Sequence, residues 1–464
     1  MDRRCYDEYG LTEDILMEHA ASGMANYINT NLPDRHSILI VCGSGNNGAD
    51  GLALARLMKF NLSSVKVYMP LGVKSPMAKL QLSRVEKLKY IEIVDEVCEA
   101  DIIVDAIFGA GLNRDLDMRC QDIVDAMNDL NGYKIACDIP TGIDENGKAS
   151  SVVFDAETTI TMGARKESLY TDEFKDSVGD VVRLDLGIRY NQYTKGMPVD
   201  SYLLDIDDLE LPTRDFSKST HKGSFGHAVI ISGEMSGASI MSAMSASRFG
   251  AGLTTLVGID SRYIPVYIMG ADVPPATSTA FAIGMGLGES MSVEYIEEHV
   301  VNSRLPIVLD ADSFYRDELL SILSQKEREI VLTPHPKEFV TLWKHLTDED
   351  ITVEDIQSDR FEIVRRFSKL YPHVTLLLKG ANMLISNEKE IYINPLGSTK
   401  LSKGGSGDVL SGLIVSLLAQ GYSGIDATIQ GSLAFAKASR DYKGASYSML
   451  ATDIIDQIEL LEGN

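Results

Sequence analysis

A carboxylate set among glycines at the start of an apolar helix is the arrangement in this chain with the plainest chemistry. Lys403-Gly404-Gly405-Ser406-Gly407-Asp408 leads into an apolar stretch, Val409 to Leu418, that reads as a helix. Glycines let consecutive backbone N–H groups turn toward one point, and the positive end of the helix dipole adds to them, so such a turn suits an anion. Asp408 stands at its mouth. A carboxylate there repels phosphate, so its presence points to a base that takes a proton from a hydroxyl attacking phosphate. A tight turn with Asp408 as a mere helix cap leaves the coincidence of glycines, acid and helix unexplained. The lysine–serine ending of a P-loop is missing. Three other segments carry matching groups. Lys379-Gly380-Ala381-Asn382-Met383 leaves a strand and is expected to face a nucleotide phosphate, and Ser398-Thr399-Lys400-Leu401-Ser402 adds cations and N–H groups before the glycines. In Thr333-Pro334-His335-Pro336-Lys337-Glu338-Phe339 two prolines fix the backbone around a histidine.

A second constellation lies near the amino end. Gly43-Ser44-Gly45-Asn46-Asn47-Gly48 matches G-x-G-x-x-G between a strand and a helix, by pattern a dinucleotide fingerprint. Yet the next strand ends Val67-Tyr68-Met69-Pro70, without the acid that holds an adenine ribose. A hydride-transferring dehydrogenase is therefore disfavoured. Asn46, Asn47 and Asp50, either side of Ala49, point instead to a polar site at the carboxyl ends of the strands. Three strand ends carry oxygen groups: Asn47, Asp105 and Thr141. Hard oxygen ligands suit an alkali or alkaline-earth cation better than zinc. Any one of these polar groups alone is explained as a strand-end cap or ion-pair partner; three on one sheet favour a site.

The elements that position these groups alternate between β-rich runs and helical stretches, which implies α/β folds with mostly parallel sheets. Leu11 to Asn29 reads as a helix. Strands are expected at Ser37–Val41, Ser64–Tyr68, Ile102–Asp105, Tyr133–Cys137 and Thr158–Thr161, with a helix from Leu52 to Lys59. Periodicity lapses from Asp185 to Arg214, around Pro198 and Pro212, placing a linker near residue 205 and domains at 1–205 and 206–464. A second alternation begins at His227–Ile231. It runs through a small-residue helix, Ala238 to Phe249, then strands at Gly252–Val257, Phe281–Gly284, Pro306–Leu309, Ile330–Leu332, Thr375–Leu378 and Met383–Ile385. Met241, Met244 and Phe249 are expected in the core.

With 464 residues the chain exceeds one ordinary core. Its formal charge of −24 argues against nucleic acid or an anionic membrane as partner. Five scattered cysteines without a Cys-x-x-Cys pair fit a reducing, cytoplasmic setting. Cys42 and Cys137 end apolar runs and are expected in the core. The start, with Asp2, Asp7 and Glu8, lacks a signal peptide's apolar stretch, and no run approaches a membrane span.

The carboxyl-terminal motifs, from Val331-Leu332-Thr333-Pro334-His335 through Leu378-Lys379-Gly380 to the Asp408 turn, resemble the ribokinase-like dehydratases that repair hydrated NADH and NADPH. Gly45 to Gly51, Asp105 to Leu112 and Asp138-Ile139-Pro140-Thr141-Gly142-Ile143-Asp144 resemble the partner epimerases, which have a Rossmann-like domain. Together they resemble the fused, bifunctional repair family over nearly the whole chain. That resemblance implies K+ held at Asn47, Asp105 and Thr141, and Asp138 in contact with substrate as the acid/base group. It implies a substrate loop at Gly109-Ala110-Gly111-Leu112-Asn113-Arg114-Asp115, and the His335 segment, with Gly252, on the hydrated nicotinamide. It implies ADP as phosphoryl donor with Mg2+, and NADH and NADPH hydrates as substrates. Asp310 and Asp312 resemble the superfamily's second acidic element, and a homo-oligomer is expected. Three departures stand out: Thr141 for serine, Ala49 for a glycine, where φ > 0 would be costly, and His19 for an asparagine of the first helix. A vitamin or sugar kinase would share the Asp408 turn but leave the first 205 residues as a ligand-sensing or interaction domain.

Overall fold

The computed structural model describes residues 2–58, 64–214, 219–289 and 291–462; Lys59, the end of one expected helix, lies outside them. The chain divides into two compact units, Met1–Pro198 and Val199–Asn464.

The first unit is a seven-stranded sheet in which every pairing is parallel. Its strands are β1 (Ser37–Cys42), β2 (Ser64–Tyr68), β3 (Ile91–Val94), β4 (Ile102–Ala106), β5 (Tyr133–Cys137), β6 (Thr158–Met162) and β7 (Asp180–Leu184), in the order β3-β2-β1-β4-β5-β6-β7. Alternate residues of β1 serve opposite faces, as the two-residue period of a strand requires. Ile38 and Ile40 join helices Glu13–Asn31, Asn46–Leu57 and Pro76–Val85, whereas Leu39 and Val41 join helix Met118–Asn128. The order reverses direction between β1 and β4, the switch point at which open α/β sheets bind ligands beyond the strands' carboxyl ends.

Among its described residues the second unit holds ten strands: β8 (Ser201–Leu203), β9 (His227–Ile231), β10 (Leu253–Val257), β11 (Met269–Ala271), β12 (Ala280–Ile283), β13 (Ile307–Leu309), β14 (Ile330–Leu332), β15 (Val374–Leu378), β16 (Met383–Asn387) and β17 (Glu390–Asn394). They lie in the order β11-β10-β9-β12-β13-β14-β15-β16-β17-β8, parallel except where β16 runs against β15 and β17. Helices Ser236–Arg248, Ser406–Ala419 and Gly424–Asp441 bury one face through Ala243, Ala246, Leu410, Leu413, Ala434 and Phe435. Phe249 is in this core with Met241 and Met244 against it, as expected.

The expected linker contains β8, which pairs with β17 in parallel, so the division falls ahead of residue 205. Strand β8 continues into Leu204 and Leu209 in the second unit's core. Cys42 and Cys137 are fully buried, and burial pushes both thiols up.

Candidate active sites of the two units

In the first unit, β1, β4 and β5 end side by side, which gathers Asn47, Asp105, Asp138 and Thr141. Asp105 is fully buried. Its carboxylate accepts hydrogen bonds from the Thr141 N–H (2.7 Å), the Thr141 hydroxyl (2.8 Å) and the Ile107 N–H (3.0 Å). Burial still outweighs these bonds and pushes its pKa up to about 6. The Phe108 N–H donates to Thr141 Oγ1 at 3.1 Å, tying the strand ends together. Thr141 thus supplies the hydroxyl that serine would. The Asn47 Nδ2 group is buried without a hydrogen-bond partner.

Asp138 follows β5 in the left-handed region, φ 73°. Its Oδ1 accepts from the Lys166 ammonium, the Met162 N–H (3.1 Å) and the Thr161 hydroxyl (3.2 Å). A Cβ on Gly109 would lie 3.1 Å from Asn47 Oδ1 and 3.3 Å from Asp138 Oδ2, so the loop passes directly over both groups. Beyond Gly109 the loop exposes Gly111, Asn113, Arg114 and Asp115, anchored by buried Leu112.

Asn46 and Asp50 line a small cavity with Glu13, Leu16, Met17 and Ala20 of the first long helix. His19 is exposed and rests against Gly187, where a Cβ would meet its ring at 2.3 Å. Ala49 is buried in a helix and is not among the residues with positive φ, so its methyl carries no backbone cost. Gly48 is required by packing: a Cβ there would lie 1.9 Å from the Gly43 carbonyl oxygen.

In the second unit the helix Ser406–Ala419 starts at Gly405, which adopts φ +90° as its N-cap. Asp408 is in the first turn, and burial, with Asp310 adding to it, raises its pKa to about 6 despite Lys379. Lys379, at the end of β15, comes within 3.3 Å of where a Cβ on Gly407 would be. Its ammonium bonds Asp310 Oδ1 at 2.6 Å, and Ser411 donates to Asp310 Oδ2 at 2.6 Å. Asp310 is only 2% exposed. It therefore aims Lys379 at the helix start. Asp312, within electrostatic reach of Asp408, accepts from the Gly288 N–H at 2.9 Å and lines an adjoining cleft with Arg316 and Glu318.

Other expected site residues have more local partners. Lys400 donates to the carbonyls of Ser439 (3.2 Å), Arg440 (3.4 Å) and Tyr442 (2.9 Å), at the carboxyl end of helix Gly424–Asp441, where a cation is favoured. Lys403 donates to the Tyr447 carbonyl at 2.7 Å. His335 caps helix Pro336–Thr347: its Nδ1 accepts from the Lys337 (3.1 Å) and Glu338 (3.2 Å) N–H groups. Glu338 returns the bond by accepting from the His335 N–H at 2.8 Å. Burial pushes Glu338 up to about 7 and His335 below its ordinary value. Phe339 is fully buried and stacks on Trp343. Gly252 precedes β10, at the opposite end of the sheet from Asp310 and Lys379, and a Cβ there would meet the Lys222 carbonyl oxygen at 1.8 Å. The close approach it permits is thus of the chain to itself.

Two site residues escaped the sequence reading. Lys166 is one. The other is Arg360, 1% exposed, whose Nη2 donates to the carbonyls of Leu378 (3.3 Å), Lys379 (3.3 Å) and Asn382 (3.0 Å). Both are ordinary basic residues in sequence, and only tertiary placement gives them meaning.

Two family models match the chain: one described as NAD(P)H-hydrate dehydratase over residues 228–460, the other as YjeF-related protein N-terminus over residues 13–168. The bifunctional NAD(P)H-hydrate repair enzyme Nnr of Helicobacter pylori is 40% identical over 474 residues, covering 99% of this chain and 98% of that protein. Its namesake from Coxiella burnetii is 32% identical, covering 98% and 96%. Among solved structures, the ADP/ATP-dependent NAD(P)H-hydrate dehydratase of Bacillus subtilis, co-crystallised with ATP/Mg2+, is 25% identical over 55% of this chain and 93% of that one, with a TM-score of 0.46.

Proposed function

The chain belongs to the bifunctional NAD(P)H-hydrate repair enzyme family, and we propose how its two sites divide the work. The first unit interconverts the two hydroxyl epimers of hydrated NADH and NADPH. The second dehydrates one epimer back to the reduced cofactor at the expense of ADP. Division of the chain into an epimerase and a dehydratase domain follows the same reading, as do a cytoplasmic location and a homo-oligomer.

At the second site, Asp408 takes the proton of the ring hydroxyl, and that oxygen attacks the terminal phosphorus of ADP, releasing AMP. The ring nitrogen's lone pair then expels inorganic phosphate. Loss of a proton from the neighbouring carbon completes the double bond. Water is a poor leaving group and phosphate a good one, which is why a nucleotide is spent. Lys379 and the N–H groups from Gly404 to Gly407 stabilise the phosphoryl charge. Mg2+, which needs only one or two carboxylates beside the phosphates, fits Asp312 on donor chemistry; when bound it shields phosphate charge.

At the first site, inversion requires a bond to the hydroxyl-bearing carbon to break and reform. Asp138 Oδ2 takes the hydroxyl proton while the carbon–nitrogen bond opens to an aldehyde, and the nitrogen recovers that proton. Reclosure from the other face reverses each transfer. Asn47, Asp105 and Thr141 offer oxygen donors with a single carboxylate, the chemistry of an alkali-cation site. K+ held by these residues would offset the buried Asp105 charge and steady the loops around Asp138.

The observation that carries the reading is Asp408 at an anion-binding helix start beside Lys379, itself aimed by Asp310. The test follows absorbance in the NADH band, with separated hydrate epimers and with ADP or ATP. Asp408→Asn is expected to lower recovery by roughly 10²-fold or more, as for a lost general base, and to leave epimer exchange intact. Near-parental recovery in the variant rules the assignment out.

A further inference from the structure

Asp138 has a costly backbone and an asymmetric carboxylate, and the Lys166 side chain bears on both. A residue with a side chain at φ 73° costs on the order of 1–3 kcal/mol and persists only where its surroundings over-determine it. Lys166, four residues after β6, reaches back to supply part of that constraint, beside the bond from the Asp138 N–H to the Ile160 carbonyl at 2.8 Å. Its ammonium donates to Asp138 Oδ1, to Thr161 Oγ1 at 2.8 Å and to the Met162 carbonyl at 3.2 Å. An ammonium has three N–H groups, and these three acceptors take them all. Lys166 therefore has none left for a substrate. Among the described residues, each close hydrogen bond to the Asp138 carboxylate falls on the same oxygen, Oδ1. The other oxygen, Oδ2, points at the loop carrying Gly109, where the Ala110 N–H stands at 3.5 Å, long for a hydrogen bond.

We propose that Lys166 is a positioning residue of the epimerase site: it pins Oδ1 of Asp138 and so leaves Oδ2 as the oxygen that meets the substrate hydroxyl. This rests on the assignment of Asp138 as the proton-transfer group. Without the ammonium, only the Met162 N–H at 3.1 Å and the Thr161 hydroxyl at 3.2 Å hold Oδ1, so the carboxylate turns more readily about its last bond and the productive alignment becomes one of several. A misplacement of about 1 Å near reacting groups costs on the order of 10²-fold in rate. Because Lys166 does not touch substrate, the loss belongs in kcat rather than KM. Arginine retains charge and donors but not a compact tetrahedral head, so it restores only part.

The experiment uses the full-length chain and measures exchange of separated hydrate epimers by chromatography, without nucleotide. Asp138→Asn, Lys166→Met, Lys166→Gln and Lys166→Arg are compared with the parent, and thermal melting checks that each is folded. Lys166→Met is expected to lower kcat roughly 10²-fold with KM within about threefold, and Lys166→Arg to recover at least tenfold of that loss. Parental kcat in Lys166→Met, or a rise in KM alone, overturns the proposal, and so does an arginine variant no better than methionine. If Lys166→Met melts early, folded Lys166→Gln decides by the same two criteria. Loss of exchange in Asp138→Asn with parental exchange in Lys166→Met sinks the Lys166 role alone. Parental exchange in Asp138→Asn removes the premise, and the Lys166 proposal falls with it.

Discussion

A base for a hydroxyl must be ionised yet retain proton affinity, and burial gives Asp408 that property by raising its pKa to about 6. Dehydration should therefore show an acid limb, kcat/KM falling as pH drops through about 6; a flat profile from pH 8 to 5 contradicts it. The same shift has a thermodynamic sign. A carboxyl whose pKa is higher folded than unfolded binds more protons in the native state, so it stabilises below the unfolded pKa and loses that contribution as pH rises through about 6. Asp408→Asn removes this cost. The variant should melt above the parent at pH 7.5, with the gap closing toward pH 4, while dehydrating poorly. A lower melting temperature at pH 7.5 would show that the carboxylate makes compensating bonds. At the other site, Gly109→Ala places a methyl 3.1 Å from Asn47 Oδ1 and 3.3 Å from Asp138 Oδ2. Epimer exchange should slow about tenfold or more, since catalytic geometry tolerates little displacement, with melting nearly unchanged. Unaltered exchange would mean the loop lies elsewhere during turnover.

At the scale of elements, buried strands were legible where apolar, β-branched runs met glycine turns, as in β1, β5, β9 and β14. Strands β3, β7, β8, β11 and β17 were not. They sit at or near sheet edges, where one side meets solvent and residues such as Glu92, Asp180 and Glu390 dilute the pattern. The glycine turn with Asp408, and the strand-end set of Asn47, Asp105 and Thr141, were readable because backbone conformation and chain order alone place them. The local partners of Lys400, Lys403 and Gly252 were not readable for the converse reason: charge and glycine content say nothing of which partner lies within reach. The turn after β15 depends in the same way on a distant helix. Arg360, in helix Arg360–Leu370, spends one guanidinium nitrogen on three carbonyls of that turn. Since a peptide's N–H and C=O point oppositely, fixing the Lys379 carbonyl also fixes the Gly380 N–H. Arg360→Lys should raise the KM for ADP about tenfold and spare that for the hydrate, a split expected when only one ligand's contacts are disturbed. Equal changes in both, scaling with lowered melting temperature, would mark Arg360 as scaffold only.

For the whole molecule the consequence is where the chain can be cut. Each unit has its own closed core around its own sheet. The boundary at Pro198–Val199 leaves β8 with the second unit, whereas a cut at 205 takes it away. That strand matters beyond its three residues. It covers the edge of β17, and Arg365 holds Asp200 beside it at 2.9 Å. Bare strand edges promote aggregation. Fragments 1–198 and 199–464 should thus both be soluble, the first exchanging epimers without nucleotide and the second restoring NADH from one epimer alone. Fragment 206–464 should melt lower or precipitate. Mixing the first two should drain both epimers at a rate set by the slower fragment's concentration, because the hydrate exchanges through solvent. If the parent drains the mixture much faster than equimolar fragments whose separate activities are intact, the two sites exchange substrate in a way that depends on covalent linkage.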